Sequence, residues 1–151
     1  MWAGLTFLLG FGLALWLSSS AVGDLRGPRA EVMGELNQLR AAARAPALRA
    51  DRHLGRVAQQ QAMALARGSA MAIARTALDL ERDARSRGWR GSAPLLELRL
   101  RTADLAGALT NSTNDTWLEP MRAHAGVGVA PARDGSLIVV LLLDSSAAKT
   151  P

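Results

Sequence analysis

Few residues in this chain carry chemistry that a sequence can mark. His53 and His124 are its only imidazoles, and it has no cysteine. Disulfides, thiolate metal ligands and a cysteine nucleophile are therefore excluded. A zinc site asks for three or four His, Cys or carboxylate ligands, and two distant histidines without characteristic spacing are a poor start on one. His53 opens a helix beside Arg52, where a solvated side chain is expected, and His124 sits beside Arg122 at a loop or rim position. Ser, His and Asp are all present, so inventory leaves a Ser-His-Asp hydrolase open, but no G-x-S-x-G elbow marks a nucleophile. Gly126-x-Gly128 lacks the third glycine of a dinucleotide loop, and Pro131 stands where that loop would start its helix. The residues thus predict no catalytic residue, no cofactor and no metal ligand.

Four polar residues remain. Glu97, in Leu95-Leu96-Glu97-Leu98, alternates with leucines and is expected on the solvated face of a strand. Asn37, Arg40 and Asp51 sit inside packing motifs. Their expected role is structural, tying a first helix to the turn before a second through charge-assisted hydrogen bonds. Asn111-Ser-Thr113 and Asn114-Asp-Thr116 are formal glycosylation acceptors, but Asn/Ser/Thr clusters also simply make loops, and the loop reading is preferred.

The elements that must position these residues begin after an apolar leader. All charged side chains of the 151-residue chain follow Gly23, whereas Trp2 to Leu17 is uncharged and apolar. The run is short enough for a secretory signal, with Ser19-Ser20-Ala21 as cleavage site, and just long enough with its serines for a membrane anchor. Either way the folded part lies outside the cytoplasm. The expected organisation is residues 1–23 as signal peptide or signal anchor, 24–144 as one domain, and 145–151 as a tail. Hydrophobic residues make up 49% and charged residues 21%, which argues against wholesale disorder. Beyond the leader only Trp89 and Trp117 are aromatic, so the core must be aliphatic and alanine-rich. The net charge of +5 is almost all arginine interleaved with acids. With neither a single-sign stripe nor aromatics for base stacking, nucleic acid is not an expected partner.

From Pro28, apolar Val32, Leu36, Leu39 and Ala43 recur at helical spacing until Ala45-Pro46. Asp51 can cap a second helix carrying Leu54, Val57, Ala58, Ala62 and Leu65, interrupted at Arg67-Gly68-Ser69. A third helical stretch is expected from about Ala70 to Arg87, stopping at Gly88. Pro94 to Leu100 then alternates as a strand, Thr102 to Leu109 can form a short helix, and Gly126–Ala130 with Leu137–Leu143 form a hairpin around Arg133-Asp134-Gly135. Helices first and strands last predict an α+β domain with helices packed on a small antiparallel sheet.

Several of these pieces occur in an order that resembles the CAP (SCP-like) superfamily, bacterial type. Leu36-Asn37-Gln38-Leu39-Arg40 is similar to its LN-x-x-R opening, and Leu48-x-x-Asp51-x-x-Leu54-x-x-x-Ala58-x-x-x-Ala62 to its second helix. Gly88-Trp89 stands where bacterial members carry Gly-Tyr, Glu97 where the strand carries G-E-N, and Leu118-x-Pro120 with Gly126-Val-Gly-Val before the terminal hairpin. The match spans roughly residues 30–144 and implies an α-β-α sandwich ending in a β-hairpin. It also implies a groove in which two histidines and acidic residues hold a divalent metal. Here the second histidine position falls on Thr113, the tryptophan before it on Gly107, and no histidine lies between Ala58 and Ala123. Glu97 and Thr113 are thus the candidate remnants of a groove without its metal ligands, with Gly126 and Gly128 kept for packing.

The expected function is that of an exported or membrane-tethered, non-catalytic module that binds or scaffolds the cell envelope. Its partner would be an envelope ligand or protein, and also the membrane itself if the N-terminal segment is uncleaved. The alternative is a metal-dependent hydrolase of envelope polymers with a site that the sequence does not mark.

Overall fold

The computed structural model describes residues 26–111 and 115–144. The leader, the tail and Thr113 lie outside the described residues, as do parts of both glycosylation-type sequences, Asn111-Ser-Thr113 and Asn114-Asp-Thr116. The described residues form five helices and four strands in the order α1 (Arg26–Ala42), β1 (Arg49–Ala50), α2 (Arg52–Ala66), α3 (Ala70–Ala74), α4 (Ala77–Ser86), β2 (Leu96–Thr102), α5 (Leu105–Thr110), a 3-10 turn (Asp115–Leu118), β3 (His124–Pro131) and β4 (Leu137–Leu143). The sheet order is β1-β3-β4-β2.

β4 organises the core. Its uninterrupted apolar run is buried on both faces, as a central strand requires. Val139, Leu141 and Leu143 face α1, α5 and Trp117, where they meet Val32, Leu36, Leu105 and Leu109. Ile138, Val140 and Leu142 face α2 and α4, where they meet Leu54, Val57, Leu80 and Trp89. The result is an α-β-α sandwich, an α+β fold with a helical layer on each face and a core of aliphatic side chains plus two tryptophans. β3 and β4 form the expected hairpin, with Gly135 at φ 83 in its turn.

Two expectations are corrected. The sheet is mixed rather than antiparallel, because β1 pairs parallel to β3 through Arg49↔His124 and Ala50↔Ala125. The helical stretch 70–87 is two helices. Thr76 caps α4 by accepting from Asp79 N–H (3.3 Å), and Asp79 reciprocates on Thr76 N–H (2.9 Å). That capping box stops α3 after one turn, and it was legible as T-x-x-D.

Candidate functional site

The motif residues go to main-chain contacts. Asn37 in α1 donates to the Leu48 carbonyl at 3.1 Å and accepts from Leu48 N–H at 2.8 Å, like a paired peptide group. That clamp delivers the next residues to the sheet, where Arg49 and Asp51 N–H reach the Ala123 and Ala125 carbonyls at 2.9 Å. Asp51 then caps α2, accepting from His53 and Leu54 N–H at 2.8 and 2.9 Å.

Arg40 is fully buried. Its guanidinium donates to the carbonyls of Pro46 (2.8 Å), Trp117, Glu119 (3.3 Å) and Arg122 (3.3 Å). Burial, and then the nearby Arg122 charge, pull its pKa below the ordinary guanidinium value. The carbonyl dipoles offset that cost, so Arg40 pins the 3-10 turn and the entry to β3 onto α1.

Gly126 and Gly128 let a helix lie on a strand. A Cβ on Gly126 would stand 2.1 Å from the Leu54 carbonyl carbon, and one on Gly128 2.1 Å from the Ala58 oxygen. α2 therefore crosses β3 at backbone contact. A residue outside the motifs completes the junction. Gln59 donates to the Val129 carbonyl at 2.8 Å and accepts from its N–H at 3.0 Å, closing the edge of β3 where β1 has ended. A glutamine inside a helical repeat gives no sequence signal of that role.

The shortness of β1 also opens a concavity beside β3. Between the β1 pairing at Ala125 and the Gln59 contact at Val129, the edge of β3 has no strand partner among the described residues, and a groove of about 590 Å³ lies there between α1 and α2. Its floor is apolar (Ala30, Met33, Ala125, Val127), and Arg29, Arg52 and Arg56 line it. Asp51 is at the groove too, but its Oδ1 is engaged by the first turn of α2. The arrangement suits an anionic ligand with an apolar part. The sequence hid it, because these arginines are interleaved with acids along the chain and converge only when α1 and α2 meet.

Glu97 is not at this groove. It lies on β2, at the opposite edge of the sheet, and its side chain is neither solvated nor aimed into a cleft. With 10% side-chain exposure it pairs with Arg99, Nε to Oε1 at 2.5 Å and Nη2 to Oε2 at 3.2 Å. Arg99 in turn donates to the Ile73 carbonyl (2.9 Å) and to that of Arg75, holding the end of α3. The strand's polar face was expected in water. It is instead partly roofed by α3, which the unbroken-helix reading could not place there.

The histidines divide. His53 Nδ1 is buried without a hydrogen-bond partner, and its ring lies against Gly88, where a Cβ would come within 3.3 Å. His124 is the first residue of β3 and its side chain is 45% exposed. Its Nδ1 meets Asp144 Oδ2 at 2.7 Å, while Asp144 Oδ1 accepts from the N–H groups of Ala123 and His124. Asp144 is 3% exposed. The carboxylate fixes a proton on Nδ1 and leaves Nε2 as the free nitrogen. One carboxylate directly after a seven-residue apolar strand is the available signal, and the sequence alone marks His124 only as a rim residue. No group of three or more His, Asp or Glu among the described residues could hold a metal ion.

Comparison with known proteins finds no matching family model and no matching curated protein. Among solved structures, the chain is similar to an outer surface protein from Borrelia burgdorferi, with a TM-score of 0.64 and 18% sequence identity over 82% of this chain and 96% of that one. At that identity the likeness shows a shared fold. No helix among the described residues is long and apolar enough to cross a membrane.

Proposed function

We propose that the chain is an exported or membrane-tethered CAP-like domain that acts without catalysis as a binding or scaffold module of the cell envelope. The observation that carries this reading is the groove at the β3 edge, with an apolar floor and three arginines along it. The residues that resemble CAP motifs support the same view from the other side. Asn37, Arg40, Asp51, Gly126 and Gly128 are consumed in main-chain packing, and Glu97 in an ion pair. The structural neighbour is an outer surface protein, which supports a location outside the cytoplasm. So does the apolar run Trp2–Leu17 ahead of the first helix.

The ligand class follows from the groove. Guanidinium groups recognise carboxylate and phosphate oxygens as planar forks, and an apolar floor adds contact with an aliphatic portion. An acidic envelope polymer or an anionic amphiphile has both features. Co-sedimentation of the full chain with isolated cell envelopes tests this, wild type against Arg52→Glu/Arg56→Glu. The two positions are exposed on α2, so the reading predicts weakened binding at an unchanged thermal midpoint. Unchanged binding would remove the groove from the function.

One observation favours a hydrolytic alternative. An exposed imidazole backed by a buried carboxylate is how proteins orient a general base or a metal-ligating histidine, and His124–Asp144 has that form. Such an activity would disappear in His124→Gln, a variant that leaves groove binding intact.

A further inference from the structure

The outer edge of β2 belongs to no sheet partner among the described residues. β2 pairs with β4 along its whole length and closes the order β1-β3-β4-β2, so one side of its backbone is left for another strand. Proteins often blunt such an edge with lysines, proline, bulges or inward-pointing charges. This one carries Leu96-Glu97-Leu98-Arg99-Leu100, with leucines toward α1 and α5 and the Glu97–Arg99 pair toward α3. Read antiparallel to itself about Leu98, the segment is self-complementary. Leu98 meets Leu98 of a second copy, Leu96 meets Leu100, and Glu97 stands opposite Arg99 on both sides of the axis. Moving the axis to Arg99 would oppose two Arg99 side chains, and moving it to Glu97 would oppose two glutamates. Like charges directly opposite are destabilising, so one register is selected.

The surface beside this edge is apolar as well. Met71 and Ile73 on α3 are 81% and 62% exposed, in the one-turn helix whose end Arg99 holds. Ile73 also lines a cleft of about 430 Å³ with Leu65, Leu100 and Ile138. A two-fold axis perpendicular to the sheet at Leu98 keeps both copies of α3 on one face and brings them toward each other. Strand addition supplies the main-chain hydrogen bonds, and Met71 with Ile73 supplies the apolar contact of an isologous interface.

We infer that the protein self-associates through β2, its partner a second copy of this chain, to give a two-fold dimer with a continuous eight-stranded sheet. The inference is independent of the groove and of the proposed function.

Light scattering of the full chain in detergent micelles tests it, and the expected protein mass is twice 16.0 kDa. Glu97→Arg leaves two positive charges at the edge, and Arg99→Glu leaves two negative ones. Each variant alone should weaken the dimer about tenfold or more. Mixed together they should form a heterodimer, because every charged pair across the axis then joins opposite signs. Arg99→Glu also releases α3, so wild-type hydrogen exchange supplies a readout free of folding effects. Amides of residues 96–102 should gain protection as concentration rises. A wild type that stays monomeric, a dimer indifferent to Glu97→Arg, or β2 amides that exchange at a concentration-independent rate would each overturn the inference.

Discussion

Replacing Arg40 by methionine should cost about 3–5 kcal/mol. The side chain is fully buried and its guanidinium serves four carbonyls. The Glu119 carbonyl keeps a second donor, the N–H of Arg122 at 3.1 Å. The carbonyls of Pro46, Trp117 and Arg122 lose the donor that Arg40 provides, at about 1–3 kcal/mol for each one left unsatisfied. Methionine fills a similar volume and removes the penalty of burying a charge, which brings the net below that sum. At about 4 °C per kcal/mol for a domain of this size, the thermal midpoint should fall by roughly 10–20 °C. Arg40→Lys keeps the charge but not the fork, and should fall between the two at about 2 kcal/mol. Calorimetry of the full chain is the assay, with near-UV dichroism of Trp117 to report whether the 3-10 turn detaches. A methionine variant within about 1 kcal/mol of wild type would refute the reasoning, because Arg40 would then not be what binds these carbonyls to α1.

Other substitutions follow from the same contacts, each read by thermal unfolding. Gly128→Ala should prevent folding or cost more than about 3 kcal/mol, since its Cβ would meet the α2 backbone at 2.1 Å, whereas Gly34→Ala has open space in α1 and should stabilise by about 0.5–1 kcal/mol. Asp51→Ala removes the cap of α2 and should cost about 1 kcal/mol, and Gln59→Leu should cost about 1–3 kcal/mol by orphaning Val129 N–H and C=O. Burial, then the charges of Asp104 and Glu31, raise the Glu35 pKa above its ordinary 4.5. The folded chain therefore holds that proton longer than the unfolded chain, and this group lowers stability as pH rises from 4.5 toward its raised value. Glu35→Gln should raise the midpoint at neutral pH and match wild type below about pH 4, with the opposite pattern counting against the sign.

What the sequence revealed about the fold was what local rules decide. Periodicity placed α1 and α2, Asp51 marked a cap, Gly88 a stop at φ 102, and the apolar run Leu137–Leu143 the central strand. Asn37, Arg40 and the two glycines were singled out because their spacing resembles a family's motifs, and in the fold Asn37 and Arg40 bond main-chain groups while the glycines lie against the α2 backbone. β1 escaped notice because two residues, Arg49 and Ala50, carry no periodicity. Their strand exists only because Asn37 clamps Leu48 beside β3. The basic groove depended on that missed strand and on helices meeting from opposite faces, so it could not be read from linear charge. Glu97 was misplaced for a related reason. Alternation assigned it to the polar face, but not to the roof that α3 builds over that face once the capping box at Thr76 breaks the helix. The candidate pairing of Glu97 with Thr113 lies outside the described residues on the Thr113 side.

The central claim is that the groove binds an anionic envelope ligand without metal chemistry. Its most direct test is the thermal midpoint of the full chain titrated with a soluble acidic glycopolymer and, separately, with zinc and calcium against a chelator. A ligand selective for the folded state adds about 2.7 kcal/mol at 100 times its dissociation constant, a readily measured shift. The polymer should raise the midpoint, Arg52→Glu/Arg56→Glu should abolish the rise, and neither metal should move it. A rise with zinc or calcium and none with the polymer would contradict groove binding and favour the hydrolytic alternative at His124.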